Sequence, residues 1–217
     1  MDDGVDDVRG SYDRVAGEYM AQFGEELAHK PLDRGLLDAF AEGMEGRGPV
    51  GDVGCGPGQI SRYLHGRGLQ VVGVDLSAQM VALARRWTPE VRFRQGTMLA
   101  LDAQDGAWAG IVAFYAIVHL SPAQVGVALR EFYRVLRAGG LLLLAFHGGN
   151  ERIHLDQWLG QQVNLDFHFF TREAIERELR EAGFTVEAAL ERQPYTQVEH
   201  PSQRVYLLAR KLPGEAQ

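Results

Sequence analysis

At 217 residues, 46% of them hydrophobic, the chain has enough material for one ordinary core, or for one domain with a small cap. A formal net charge of −7 argues against sequence-independent nucleic-acid binding, which relies on clustered Lys and Arg, although a local basic groove stays open. No apolar run approaches the roughly 20 residues needed to span a membrane. The opening Met1-Asp2-Asp3-Gly4-Val5-Asp6-Asp7 is acidic where a secretory leader is basic and then apolar. The lone cysteine, Cys55, cannot form an intramolecular disulfide, so the composition predicts a soluble protein of the cytoplasm.

Taken in order, residues 1 to about 8 read as a tail, since aspartates offer nothing to bury. Tyr12, Val15, Ala16 and Tyr19 then fall on one helical face. Leu32, Leu36, Leu37 and Phe40 mark a second amphipathic helix, and a glycine-rich loop over 42–49 leads into the first strand. That strand passes through Asp52 into a turn with glycines at alternate positions, Gly54, Gly56 and Gly58, and then into a helix start at Gln59. Glycines there permit positive φ and let a ligand lie on bare backbone, while the helix behind offers unpaired N–H groups to an anionic group. Within this turn Cys55 reads as a small packed side chain rather than a nucleophile. A second buried-strand pattern, 71–75, ends in Asp75, 21 positions after Gly54. In doubly wound sheets an acid about 20 residues beyond the glycine turn accepts hydrogen bonds from ribose hydroxyls, so a ribose-bearing ligand is expected.

Further along, a helix is predicted over 78–87 with Met80, Leu83 and Ala84 inward, a third strand over 91–98, and a fourth from Trp108 that ends in a loop before Ser121-Pro122. A helix over 123–137 is expected to break at Gly139-Gly140 before the fifth strand, 141–146. The stretch 147–170 is long for a strand-to-helix link and mixes aromatics with polar groups. It reads either as one wall of a small-molecule pocket or as a surface flap with its own satellite core. His154, Glu151 and Asp156 lack the spacing of a metal site. A helix over 171–182 with Thr171 near its cap precedes two strands, 184–190 and 204–210, with no helix between, which makes them antiparallel neighbours. Glu199 with Arg204 reads as an exposed hairpin ion pair.

Three segments carry a resemblance. Asp52-Val53-Gly54-Cys55-Gly56-Pro57-Gly58, Val74-Asp75-Leu76-Ser77 with Met80, and Arg134-Val135-Leu136-Arg137-Ala138-Gly139-Gly140 resemble, in order and spacing, the motifs of class I S-adenosylmethionine-dependent methyltransferases. The resemblance runs roughly from Tyr12 to Lys211 and implies an α/β, doubly wound, mostly parallel seven-stranded sheet with an antiparallel C-terminal strand. It also implies a single domain over 1–217, with 9–30 as an N-terminal lid, since the Tyr12 to Tyr19 segment is of a kind that closes over cofactor and substrate; core-facing tyrosines are the other reading. Residues 147–170 would then be a substrate-side insertion. The cofactor implied is S-adenosyl-L-methionine and the partner a small-molecule methyl acceptor, with no nucleic acid, membrane or metal. Asp52, Gly54 and Gly56 are expected at the methionine end, Asp75 and Leu76 at the ribose, Met80, Thr97 and Met98 at the adenine, and Tyr12, Tyr19 and Phe114 around them. Thr97 stands where the family usually has an acid, and Ala109 also departs from the pattern. His119 and His147 follow the fourth and fifth strands and are the candidates for a general base, or else packing residues. A nicotinamide oxidoreductase is disfavoured by the glycine spacing, while a binding protein without transfer activity stays open.

Overall fold

The computed structural model describes residues 4–212. A seven-stranded sheet forms the centre, in the order β3-β2-β1-β4-β5-β9-β8. Its strands are β1 (Val50–Val53), β2 (Val71–Asp75), β3 (Arg92–Gln95), β4 (Trp108–Phe114), β5 (Leu136–Gly148), β8 (Phe184–Arg192) and β9 (Gln203–Lys211), while β6 (Arg152–Trp158) and β7 (Gln161–His168) form a separate hairpin. The first five strands run parallel, and β9 lies antiparallel to both β5 and β8.

Parallel strands carry apolar side chains on both faces because helices cover both. One face of the sheet buries Leu37, Phe40, Val50, Leu64, Val81 and Phe93 beneath α2 (Pro31–Met44), α3 (Gln59–Gly66) and α4 (Ala78–Trp87). The opposite face buries Ile111, Leu129, Phe132, Leu142, Ile175 and Leu179 with α5 (Pro122–Val135) and α6 (Arg172–Glu181). Ser77 caps α4 by accepting from the Met80 N–H, Thr171 caps α6 through the Ala174 N–H, and Ser121 with Gln124 closes a capping box on α5.

Four local expectations are corrected. Helix α1 (Val5–Phe23) begins well inside the expected tail: Asp6 and Asp7 occupy its first turn, where carboxylates suit the helix dipole, and Asp7 accepts from the Asn164 side chain at 2.9 Å. The first three residues of that tail lie outside the described residues. Helix α2 runs on to Met44 because that side chain is buried in the core. The pair Gly139-Gly140 does not separate helix from strand: α5 ends at Val135, and the glycines sit in an irregularity within β5, between the pairs Trp108↔Leu136 and Gly110↔Leu141. Finally, 147–170 is mostly the β6–β7 hairpin. Its turn at Leu159-Gly160 has positive φ at both residues, the backbone a tight right-twisted hairpin wants.

The hairpin packs on α1. Val163 and Leu165 bury against Val15, with Tyr12, Leu155, Trp158 and Phe167 around them. Ser11 Oγ accepts from the Asn164 N–H at 2.9 Å, and Arg14 Nε donates to the Gln162 carbonyl at 2.8 Å. So α1 and the hairpin form one layer across the carboxyl ends of the strands.

Candidate active site

Beneath that layer a cavity encloses about 1220 Å³ of empty space, its mouth included. It sits where open α/β sheets hold ligands, beyond the carboxyl ends of the strands.

The β1–α3 turn forms its floor. Gly54, at φ 74°, donates its N–H to the Val74 carbonyl at 2.7 Å, which ties the tip of β1 to β2. A Cβ on Gly54 would lie 2.4 Å from the Ala116 Cβ, so only glycine lets the two backbones approach this closely. Gly56 has φ 53° and donates its N–H to Asp75 Oδ2 at 2.7 Å, while the Ser77 N–H reaches Asp75 Oδ1 at 2.9 Å. One carboxylate at the tip of β2 therefore fixes the turn after β1, and each of its oxygens keeps a second lone pair for a ligand hydroxyl. Burial pushes the Asp75 carboxyl up to about 6, against the pull of its two backbone donors. Burial likewise raises Asp52 to about 7, partly offset by the Ser61 hydroxyl that donates to it at 2.6 Å.

Asp52, Gly54, Gly56, Asp75, Leu76 and Met80 all line this cavity, and so do Thr97, Met98 and Phe114. The Thr97 hydroxyl also accepts from the Leu99 N–H at 3.2 Å, which holds the turn after β3. Tyr12 and Tyr19 reach the wall from α1, their rings 6.0 Å apart. Asp13 on the same helix accepts from Ser77 Oγ at 2.6 Å and from the Gln79 N–H at 3.1 Å, which fastens α1 to the start of α4.

The two candidate bases fare differently. His119 lines the cavity. Its Nδ1 is 2.9 Å from the Asp166 carbonyl, an acceptor only, so Nδ1 carries the proton and Nε2 accepts the Tyr12 hydroxyl at 2.7 Å. Burial lowers this imidazole to about 4. His147 is not among the lining residues. Its ring turns to the β9 side, with Nδ1 2.7 Å from Ser202 Oγ and 3.0 Å from Arg204 Nη1, and it stacks on Phe169. Burial first, and then the Arg204 charge, depress it to about 3.

No residue of 147–170 lines the cavity. The aromatics of the hairpin instead back α1: Trp158 meets Tyr12 at 5.8 Å, Tyr19 at 5.7 Å and Phe23 at 6.2 Å, edge-on or tilted. The apolar side chains of the hairpin form a satellite core with α1. His154 lies exposed between Asp156 and Asp166, and among the described residues no three such groups converge as metal ligands. The Glu199–Arg204 pair is not the exposed one expected, since both side chains are buried.

Sequence reasoning missed Gln59, Lys30, Asp33 and Tyr115, which also line the cavity. Gln59 Oε1 is a buried acceptor without a hydrogen-bond partner, and its place directly after the glycine turn was a usable signal. Tyr115 takes φ 55°, rare for a residue with a side chain and frequent at functional sites.

A family model described as a methyltransferase domain matches residues 50–140, the stretch that builds β1 to β4 and the start of β5. Over 189 residues the chain is 31% identical to a malonyl-[acyl-carrier protein] O-methyltransferase of Enterobacter lignolyticus, covering 85% of this chain and 70% of that relative. The chain belongs to the class I S-adenosylmethionine-dependent methyltransferases. A demethylmenaquinone methyltransferase of Beutenbergia cavernae is 32% identical over 153 residues, 67% of this chain and 60% of the relative. In fold the methyltransferase resembles a structure from Methanosarcina mazei solved as an S-adenosylmethionine-dependent methyltransferase: TM-score 0.70, 18% identity, 76% of this chain and 93% of that one.

The cofactor of this methyltransferase is S-adenosylmethionine, and the residues present suit it. Asp75 offers free lone pairs at the tip of β2, the turn at Gly54 and Gly56 is bare backbone, and Gln59 Oε1 is an unsatisfied acceptor beside them. No helix among the described residues is long and apolar enough to cross a membrane.

Proposed function

We propose that this methyltransferase acts on a small-molecule acceptor held in the same cavity as the cofactor, between the glycine turn and α1. What carries the reading is the cover that α1 lays over the cavity. Tyr12 and Tyr19 reach down from α1 into a cavity whose floor is the cofactor motif, which leaves a partly sheltered chamber of a size that suits a small acceptor. The two named relatives, a malonyl-[acyl-carrier protein] O-methyltransferase and a demethylmenaquinone methyltransferase, point to different acceptors, so their names do not choose one.

In this reading Asp75 holds the ribose, with the backbone of Gly54 and Gly56 beside it. Gln59 and Asp52 face the ammonium of the methionine end, and Met80, Thr97 and Met98 enclose the adenine. The cofactor supplies a methyl group on a sulfonium, with a neutral thioether as the leaving group, so the chain need not stabilise a leaving anion. Its contribution is placement and exclusion of water, on the order of 7–11 kcal/mol where two reactants are well aligned. Residues 9–30 serve as the lid. The hairpin in 147–170 braces it, taking its place in the insertion assigned to the substrate side. The single cysteine, buried in the turn, suits a reducing cytoplasm.

Turnover with a methyl-labelled cofactor over a panel of small acids, phenols, amines and thiols tests this. Label in at least one small acceptor is the expected result. Label only in added protein or RNA, or binding of S-adenosylhomocysteine with no transfer to any of the panel, contradicts it.

A further inference from the structure

The charged groups of the cavity fall into two clusters. At the cofactor end stand Asp52 and Asp75, and the Asp75 charge adds to burial in driving the Tyr12 phenol and the Cys55 thiol upward. At the other end stands Lys30, the only Lys or Arg that lines the cavity among the described residues. Its ammonium lies 5.4 Å from the centre of the Tyr115 ring, and the buried Arg204 guanidinium lies 5.5 Å from the same ring. Arg192 stands behind, bonded to Asp33 at 2.8 Å and to Glu199. The carboxylates at this end are each paired: Lys30 binds Glu26, Arg192 binds Asp33 and Glu199, and although burial works against it, the Arg192 hydrogen bonds with the Arg204 and Lys30 charges hold Glu199 down to about 2.

Lys30 is nonetheless not saturated. Its ammonium has three N–H donors. One goes to Glu26 at 2.6 Å, and Glu199 stands off at 3.6 Å.

A second observation concerns proton removal. Every basic group in the wall already holds at least one donor. His119 Nε2 accepts from Tyr12, and its Nδ1–H is given to Asp166. Glu26 is tied to Lys30. Asp33 accepts from the Tyr206 hydroxyl at 3.0 Å and from Arg192. Asp52 and Asp75 sit at the far end with Ser61, Gly56 and Ser77. Beside Lys30, a neutral alcohol or a protonated amine would find only carboxylates already held in ion pairs.

We propose that the methyl acceptor is an oxygen anion, a carboxylate or an already ionised phenol or enol, which enters in ionised form and pairs with Lys30 beside Tyr115. The inference rests on the methyl-transfer reading above and names its substrate class. In the step, an acceptor oxygen lone pair forms the new O–CH₃ bond as the S–CH₃ bond breaks, and the sulfur keeps the electron pair as a neutral thioether. Positive sulfonium and negative oxygen cancel, and no proton moves. Lys30 binds and orients the anion, a role that appears in acceptor affinity.

The test is calorimetry on the full chain loaded with S-adenosylhomocysteine, titrated with matched pairs: benzoate and benzamide, cinnamate and cinnamamide, hexanoate and hexanamide. At least one acid should bind ten times or more tighter than its amide. The double variant Lys30→Met with Glu26→Gln, which removes the ion pair as a unit, should bring that preference to within about threefold, and Lys30→Arg should keep it. Retained binding of S-adenosylhomocysteine shows that the variants are folded. Acids and amides that bind alike, or not at all, in every pair would overturn the proposal, as would a preference that survives the double variant. If S-adenosylhomocysteine itself fails to bind the wild-type chain, the methyl-transfer reading fails instead.

Discussion

Removing one oxygen atom, in Tyr12→Phe, isolates the clasp between α1 and the segment after β4. The Tyr12 hydroxyl donates to His119 Nε2 at 2.7 Å, and both groups are half-buried in the cavity wall. The variant keeps the ring, with its edge-on contacts to Tyr19, Trp158 and His119, so the apolar packing is nearly unchanged. What is lost is one hydrogen bond, and Nε2 is left as a half-buried acceptor with no donor. Protonation does not offer relief near neutral pH, because burial holds the ring at about 4. Such an orphaned group costs about 1–3 kcal/mol, which acts on the closed state of α1. Converted at 1.4 kcal/mol per factor of ten, S-adenosylhomocysteine should leave roughly 5 to 150 times faster. Stopped-flow displacement with a fluorescent cofactor analogue measures that rate. Release within twofold of wild type, with unchanged melting temperature, would refute the claim that this bond holds the lid.

Three further outcomes follow from the same geometry. Gly54→Ala puts a Cβ 2.4 Å from Ala116 at a positive φ, so cofactor binding should fall at least tenfold and stability by about 1–3 kcal/mol, read by calorimetry and thermal melting. Asp52 and Asp75 are raised from 3.8 to about 7 and about 6, so the folded chain keeps protons that the unfolded chain releases. Their contribution to apo stability is therefore present below about pH 4 and is lost as pH rises through 6 to 7, while S-adenosylhomocysteine affinity should weaken as pH falls below about 6; a flat profile for both between pH 5 and 8 would contradict this. Arg192→Met strips the shared cation from Asp33 and Glu199, both 1% exposed, and should cost about 3–5 kcal/mol in denaturant unfolding.

Much of the fold was legible because parallel strands leave a plain signature. The runs ending at Asp52 and Asp75 are apolar, short and followed by turn residues, and the helix caps at Ser77, Ser121 and Thr171 stand where capping chemistry wants them. The cavity-lining residues at the strand tips were legible for the same reason: strand tips are fixed by the sheet. Side-chain direction was harder. His147 does stand at the end of β5, but the strand's pairing with β9 aligns it with Arg204 and turns it away from the cavity. The hairpin hid because its apolar face, Val163 and Leu165, finds its partner about 150 residues earlier in α1, and because Leu159 occupies a turn position where glycine or asparagine would have announced it. The buried network around Glu199 joins residues 30–33 to residues 192–206, and no local pattern links the two.

The central claim is that the carboxylate at the tip of β2 and the bare turn it fixes grip one adenosyl ligand. Isothermal titration of S-adenosylhomocysteine into the wild-type chain and into Asp75→Ala tests it most directly. Loss of charge-assisted hydrogen bonds worth about 1.5–3 kcal/mol each predicts affinity at least tenfold weaker in the variant. Equal affinity in the two proteins, or no binding to the wild type, would contradict it.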